Sequence, residues 1–146
     1  MRGTFGLGSG LSFGTGAQRT IVEHSPVFLD AGVRTWSDPA AAEVAFALGL
    51  RVEIDGRASV GGTVRAEYTH LLGAQTQISV FAGALLYVAP FTLGGPELGT
   101  TFRYFLWEKV ALTGSLLLDG FILGSDLPSH AALVQLNGVF GVELAL

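Results

Sequence analysis

Apolar and polar residues alternate along almost the whole chain, and the alternation keeps charge off one of the two faces. Val44, Phe46, Leu48, Leu50, Val52 and Ile54 interleave with Ala45, Ala47, Gly49, Arg51, Glu53 and Asp55. Ile78, Val80, Ala82, Ala84, Leu86 and Val88 repeat the pattern, as do Val134, Leu136, Gly138, Phe140, Val142, Leu144 and Leu146. Successive side chains of a strand point to opposite faces, so a period of two predicts β-structure. Eight segments emerge: Gly3–Gly16, Pro26–Trp36, Glu43–Asp55, Ser59–Leu71, Thr76–Val88, one over Leu98–Leu106, Val110–Leu123, and one ending at Leu146. Asp55-Gly56 is a strong hairpin signal, and Pro90 with Gly94-Gly95-Pro96 marks a loop. The seventh segment alternates least cleanly, at Leu116-Leu117-Leu118. The loops at one end are expected at Thr15–Ser25, Asp55–Ala58, Pro90–Glu97 and Gly124–Ala131, all short and without protruding strands.

Assigning parity strand by strand separates the charges. Arg2, Asp30, Arg34, Glu43, Arg51, Glu53, Asp55, Arg65, Glu67, Glu97, Arg103, Asp119 and Glu143 fall on the face of small residues. Arg19, Glu23, Asp38, Arg57, Glu108, Lys109 and Asp126 fall in turns, and none falls on the bulky face. A cation facing hydrocarbon at mid-bilayer costs roughly 2–4 kcal/mol, which gives the exclusion a physical cause. The pattern predicts an all-β chain: an eight-stranded antiparallel up-and-down transmembrane β-barrel with a polar, charge-balanced interior, in one domain spanning 1–146. A soluble barrel with its apolar face around a ligand would need the small-residue face as its surface. Soluble surfaces carry about 25–35% charged residues, and this face does not.

Composition agrees. Hydrophobic residues make up 49% of the 146 and charged ones 14%, against about 25% charged in ordinary soluble domains. Mean hydropathy is +0.52, yet no run of 18 apolar residues exists to form a transmembrane helix. Net charge is −4 and Lys109 is the only lysine, so there is no basic stripe for nucleic acid. Cysteine is absent. No secretory signal is visible after Met1, and the expectation is a mature region carrying an initiator Met.

The chain resembles the small bacterial outer-membrane barrels of the OmpX, NspA and OmpA-barrel type, at the level of pattern and over its whole length. Its last strand, Asn137 to Leu146, is similar to the terminal signal read by the barrel-assembly machinery, with Gly141, Leu144 and Leu146 at the matching positions. The usual terminal aromatic is missing, and the polar position of that signal falls on Val139. The resemblance implies a location in the bacterial outer membrane, both termini in the periplasm, and periplasmic turns near Ser37–Ala42, Leu72–Gln75 and Trp107–Val110. Trp36, Tyr68, Tyr104 and Trp107 cluster near those turns; Tyr68 and Tyr104 have outward parity and are expected in an interfacial aromatic girdle. The partners implied are the lipid bilayer and lipopolysaccharide, the assembly machinery during insertion, and other envelope proteins.

Asp30, Arg34, Arg51, Glu53, Arg65, Glu67, Arg103, Asp119 and Glu143 are expected to form an interior charge network that plugs the lumen. A narrow ion or water pathway is the sharper alternative. The glycines of the first strand would either leave a gap or let Phe81, Tyr87, Phe105 or Phe121 pack against bare backbone. An enzyme acting on lipid A or phospholipid is also considered, since such barrels use a serine, a histidine and a carboxylate facing lipid. Ser129 adjoins His130 directly, His130 and Glu143 do not share parity, and His24 and His70 have no nearby serine with an acid on their face. Three scattered histidines give no metal-ligand spacing. The expectation is therefore a non-enzymatic barrel without metal or cofactor, structural or anchoring, or docking other envelope components.

Overall fold

The alternating segments become a closed antiparallel sheet in the computed structural model of the protein. It describes residues 1–16, 19–35, 43–55, 58–125, 127 and 131–146, with the backbone alone at 15, 16, 19–21 and 43. The strands are β1 (Arg2–Gly16), β2 (Arg19–His24), β3 (Phe28–Arg34), β4 (Glu43–Glu53), β5 (Val60–Gly73), β6 (Thr76–Ala89), β7 (Leu93–Trp107), β8 (Val110–Phe121), β9 (Leu123–Gly124) and β10 (Ala132–Ala145). β2 and β3 both pair with β1, and β8 and β9 both pair with β7, so the ten strands make eight staves. Each stave pairs with its sequence neighbours, and β10 closes the circle on β1.

The registers fix the geometry. Cross-strand register partners run from Arg2 to Arg34, Ala47, Arg65, Gly83, Glu97, Asp119, Gln135 and back to β1 at Ser12. One circuit thus climbs from position 2 to position 12, a shear of ten residues. With ~3.3 Å per residue and ~4.8 Å between strands, eight staves of that shear tilt by roughly 40°, inside the usual range for barrels.

The outward face is apolar, as the parity requires. Leu48 and Val80 are 64% and 56% exposed, and Phe5, Leu98, Leu116 and Phe140 are exposed on other staves. The inward face is filled. Phe28, Phe81, Leu117 and Val139 form one buried apolar cluster. Leu117 is the inward member of the irregular Leu116-Leu117-Leu118 run. Leu85, Tyr87, Leu93 and Phe121 form a second, capped by Phe91, Leu127 and Leu133, at the end away from the termini. Bare backbone makes room for the rings: a Cβ on Gly8 would lie 2.5 Å from Phe28, and one on Gly99 would lie 2.5 Å from Phe81. Of the first strand's glycines, Gly8 seats a ring, that of Phe28 and not of Phe81, Tyr87, Phe105 or Phe121, while Gly6 lies against Val139 and lines a cavity of the lumen.

Three expectations need correction. The expected Thr15–Ser25 loop is largely strand, because β2 pairs with Leu11–Gly16 of β1 and extends that hairpin; among the described residues β2 has no second partner strand. The second stave is broken by a bulge: Gly8 pairs with Phe28 and Leu11 with His24, so Ser9 and Gly10 face three residues, Ser25, Pro26 and Val27. The expected Pro90–Glu97 loop ends early, since β7 begins at Leu93 and carries Gly94-Gly95-Pro96 inside it, paired with β6.

Candidate functional site

The inward charges, spread over seven strands, meet in two layers. Nearer the termini, Glu143 of β10 lies 2.8 Å from Arg103 Nε, 3.2 Å from Arg34 and 3.4 Å from Arg2. Glu67 of β5 takes the second nitrogens of the same arginines, at 2.9 Å from Arg103 and 3.3 Å from Arg34. Arg103 also donates to the Ser79 hydroxyl, which is bonded to Thr69. Farther from the termini, Arg51 of β4 reaches three carboxylates: Asp30 at 2.9 Å, Glu97 at 2.7 Å and Asp119 at 3.0 Å. Arg65 of β5 pairs with Asp30 at 2.9 Å and Glu97 at 2.6 Å. The forked guanidinium suits such bridging, because its donors diverge in one plane. Arg51 and Arg65 also lie over the Phe28 and Phe81 rings, at 4.4 and 5.0 Å from the centroids.

Between the layers lies a cavity of about 60 Å³, lined by Thr63, Thr101, Thr113 and Ser115 together with charged groups of both layers. It is roomy enough for a few waters at ~15 Å³ each. A second cavity, about 420 Å³, opens at the terminal end among Arg2, Leu71, Gln77, Phe105, Trp107 and Glu108. The lumen can thus neutralise and brace a sheet that carries buried charge.

Eight of the nine network residues named from the sequence sit in these layers; Glu53 is buried outside both, close to Tyr87. Two members were left out of that network, Arg2 and Glu97. Their inward parity is a legible signal, but Arg2 opens its strand and Glu97 precedes the expected Leu98–Leu106 segment, where parity alone does not tell lumen from rim; β7 in fact begins at Leu93 and holds Glu97 inside it. Asn137, which donates to Asp119 at 3.0 Å and accepts from the Ser25 hydroxyl, shares the inward parity of Glu143 but has no charge to single it out.

No protein-family model matches the chain, and no curated protein matches it in sequence. Solved structures do match it in shape. Neisserial surface protein A aligns over 99% of this chain and 97% of its own, with a TM-score of 0.58 and 10% identity. Ail, the attachment invasion locus protein of Yersinia pestis, solved with the heparin analogue sucrose octasulfate, aligns over 98% of both chains, with a TM-score of 0.53 and 10% identity. The fold is that of the small eight-stranded outer-membrane barrels.

Within the barrel the remaining candidates divide by face. Tyr68 and Tyr104 point outward near the terminal end, and the Tyr104 hydroxyl donates to Gln75. Trp107 is also exposed, against its inward parity, because a bulge between Phe105 and Trp107 shifts the register by one; Trp36 lies outside the described residues. Gly141 packs against β1 so closely that a Cβ would meet Phe5 O, while Leu144 and Leu146 face outward. Glu143 is locked in the lumen, so it cannot serve a lipid-facing site, and Ser129-His130 lie outside the described residues. Among the described residues no group of three or more His, Asp or Glu is placed to hold a metal.

One pairing was not legible in the sequence. His24 does have a serine: Ser9 Oγ lies 2.9 Å from His24 Nε2 across the β1–β2 hairpin. The two residues are 15 apart in sequence and meet only because the bulge sets the register. Among the described residues no carboxylate is hydrogen-bonded to His24.

Proposed function

We propose that this chain is an integral protein of the bacterial outer membrane that anchors or docks envelope components and holds its lumen shut. The observation that carries the reading is the pairing of an uncharged apolar outer belt with a lumen closed by two ion-pair layers and an apolar cap. An eight-stranded barrel encloses little more than its own side chains, and these side chains neutralise one another. The short turns at 74–75 and 108–109 share the end that holds both termini, which suits a periplasmic end. The two structural neighbours carry names of surface and attachment proteins, and a surface role for this barrel agrees with them.

Planar-bilayer recording of the refolded protein tests the closed lumen. A flat baseline is expected; step-like conductance altered by Arg103→Ala or Glu67→Ala would replace this reading with a channel. Co-purification from native membranes in mild detergent tests docking: a stoichiometric envelope partner is expected, and isolation of the barrel alone would leave anchoring by itself.

A further inference from the structure

We propose that the cavity at the terminal end binds the head of a phospholipid whose phosphate carries a primary ammonium group, with the acyl chains lying over Leu106 and Trp107. At about 420 Å³ it falls within the range of pockets that hold small ligands. Its floor and its walls differ in kind. The floor is polar and buried, with Arg2 and Gln77 only 1% and 4% exposed. The walls are Leu71, Phe105, Leu106 and Trp107, and Glu108 stands at the rim. Leu106 and Trp107 are also exposed on the outer wall, Trp107 because the bulge after Phe105 turns it outward. Residues of both faces of the sheet thus line one space, which joins the end of the lumen to the apolar belt.

Three groups select the head. Arg2 belongs to the layer in which three arginines face two glutamates. The floor therefore carries surplus positive charge and favours an anion such as a phosphate diester. Arg2 is held in place there, since it donates to the Glu108 carbonyl at 2.8 Å and lies over the Phe105 ring at 4.9 Å. Gln77 Oε1 has no hydrogen-bond partner among the described residues, and a buried carbonyl oxygen is costly until a donor meets it. The ligand must then bring an N–H or O–H together with its phosphate. The exposed Glu108 side chain favours a donor that is itself a cation. An ethanolamine phosphate answers all three groups, whereas a choline phosphate has the charges but no donor.

The site presupposes that the barrel sits in a bilayer, as the proposed function holds. A folded barrel without lipid preference would keep that function and lose this site.

Native mass spectrometry tests the site, using refolded barrel in non-ionic detergent mixed with equimolar phosphatidylethanolamine and phosphatidylcholine. One retained phosphatidylethanolamine is expected, favoured over phosphatidylcholine by at least ~10-fold, the worth of a hydrogen bond from a charged donor. Gln77→Leu, checked for folding by its heat-dependent gel shift, is expected to abolish that preference, and Arg2→Gln to weaken retention of both lipids. Glycerophosphoethanolamine, the same head without chains, is expected not to compete at equal concentration. Equal retention of the two lipids by the wild-type barrel overturns the proposal. So does an unchanged preference in folded Gln77→Leu, or full competition by the chainless head. Should the variants fail to fold, the wild-type preference decides.

Discussion

The two ion-pair layers of the lumen are built on opposite plans. Near the termini three arginines converge on two glutamates, and Glu143 is the group that most partners share. In the layer beyond, two arginines serve three carboxylates, and Arg51 is the shared group. One layer is organised around an anion and the other around a cation, while the five arginines and five carboxylates of the two balance in number. A buried charge is tolerable only when its partners and hydrogen bonds are all in place, so in each layer the residue with most partners should be the one least open to change.

The largest effect is expected where that rule is broken outright. Arg51→Met leaves Asp119 without a cation within ion-pair distance among the described residues, and we expect a loss of about 4–5 kcal/mol in urea unfolding of the lipid-refolded barrel. Wild-type stability in that variant would mean the carboxylates need no central cation. Leu48→Arg asks whether the outer face is as intolerant as the lumen is dependent: an arginine in the belt should cost about 3 kcal/mol in the same titration, and a neutral result would argue that Leu48 does not meet hydrocarbon. Glu143→Gln keeps an acceptor oxygen but discharges the hub of the other layer, for an expected loss of about 2 kcal/mol. A cost equal to that of Arg51→Met would make the two hubs equivalent. The smallest change is expected from Asp30→Asn. It removes one charge from the layer with surplus carboxylates, at a site that keeps some solvent contact, and should cost less than about 1 kcal/mol. A larger loss would show that the surplus is itself structural.

Much of this was legible in the chain. Parity alone put Leu48 and Val80 outside and Arg51, Arg103 and Glu143 inside, because a strand has only two faces and hydrocarbon accepts only one kind of side chain. Where the strict period of two fails, so did the reading. The bulge beside Trp107 turned an inward residue outward, and the bulge at Ser25–Val27 brought His24 to Ser9. A bulge adds one residue to one strand, and nothing in the local composition announces it.

By itself, then, the sequence determined the class of fold, the face that meets lipid, and which charges enter the lumen, since each of these depends on alternation along a single strand. Only the tertiary structure decided the shear of ten residues, the sorting of ten charged groups into two layers, and the meeting of Ser9 with His24. These depend on the register between strands and on closure of β10 against β1. They are relations between distant segments, fixed when the barrel shuts.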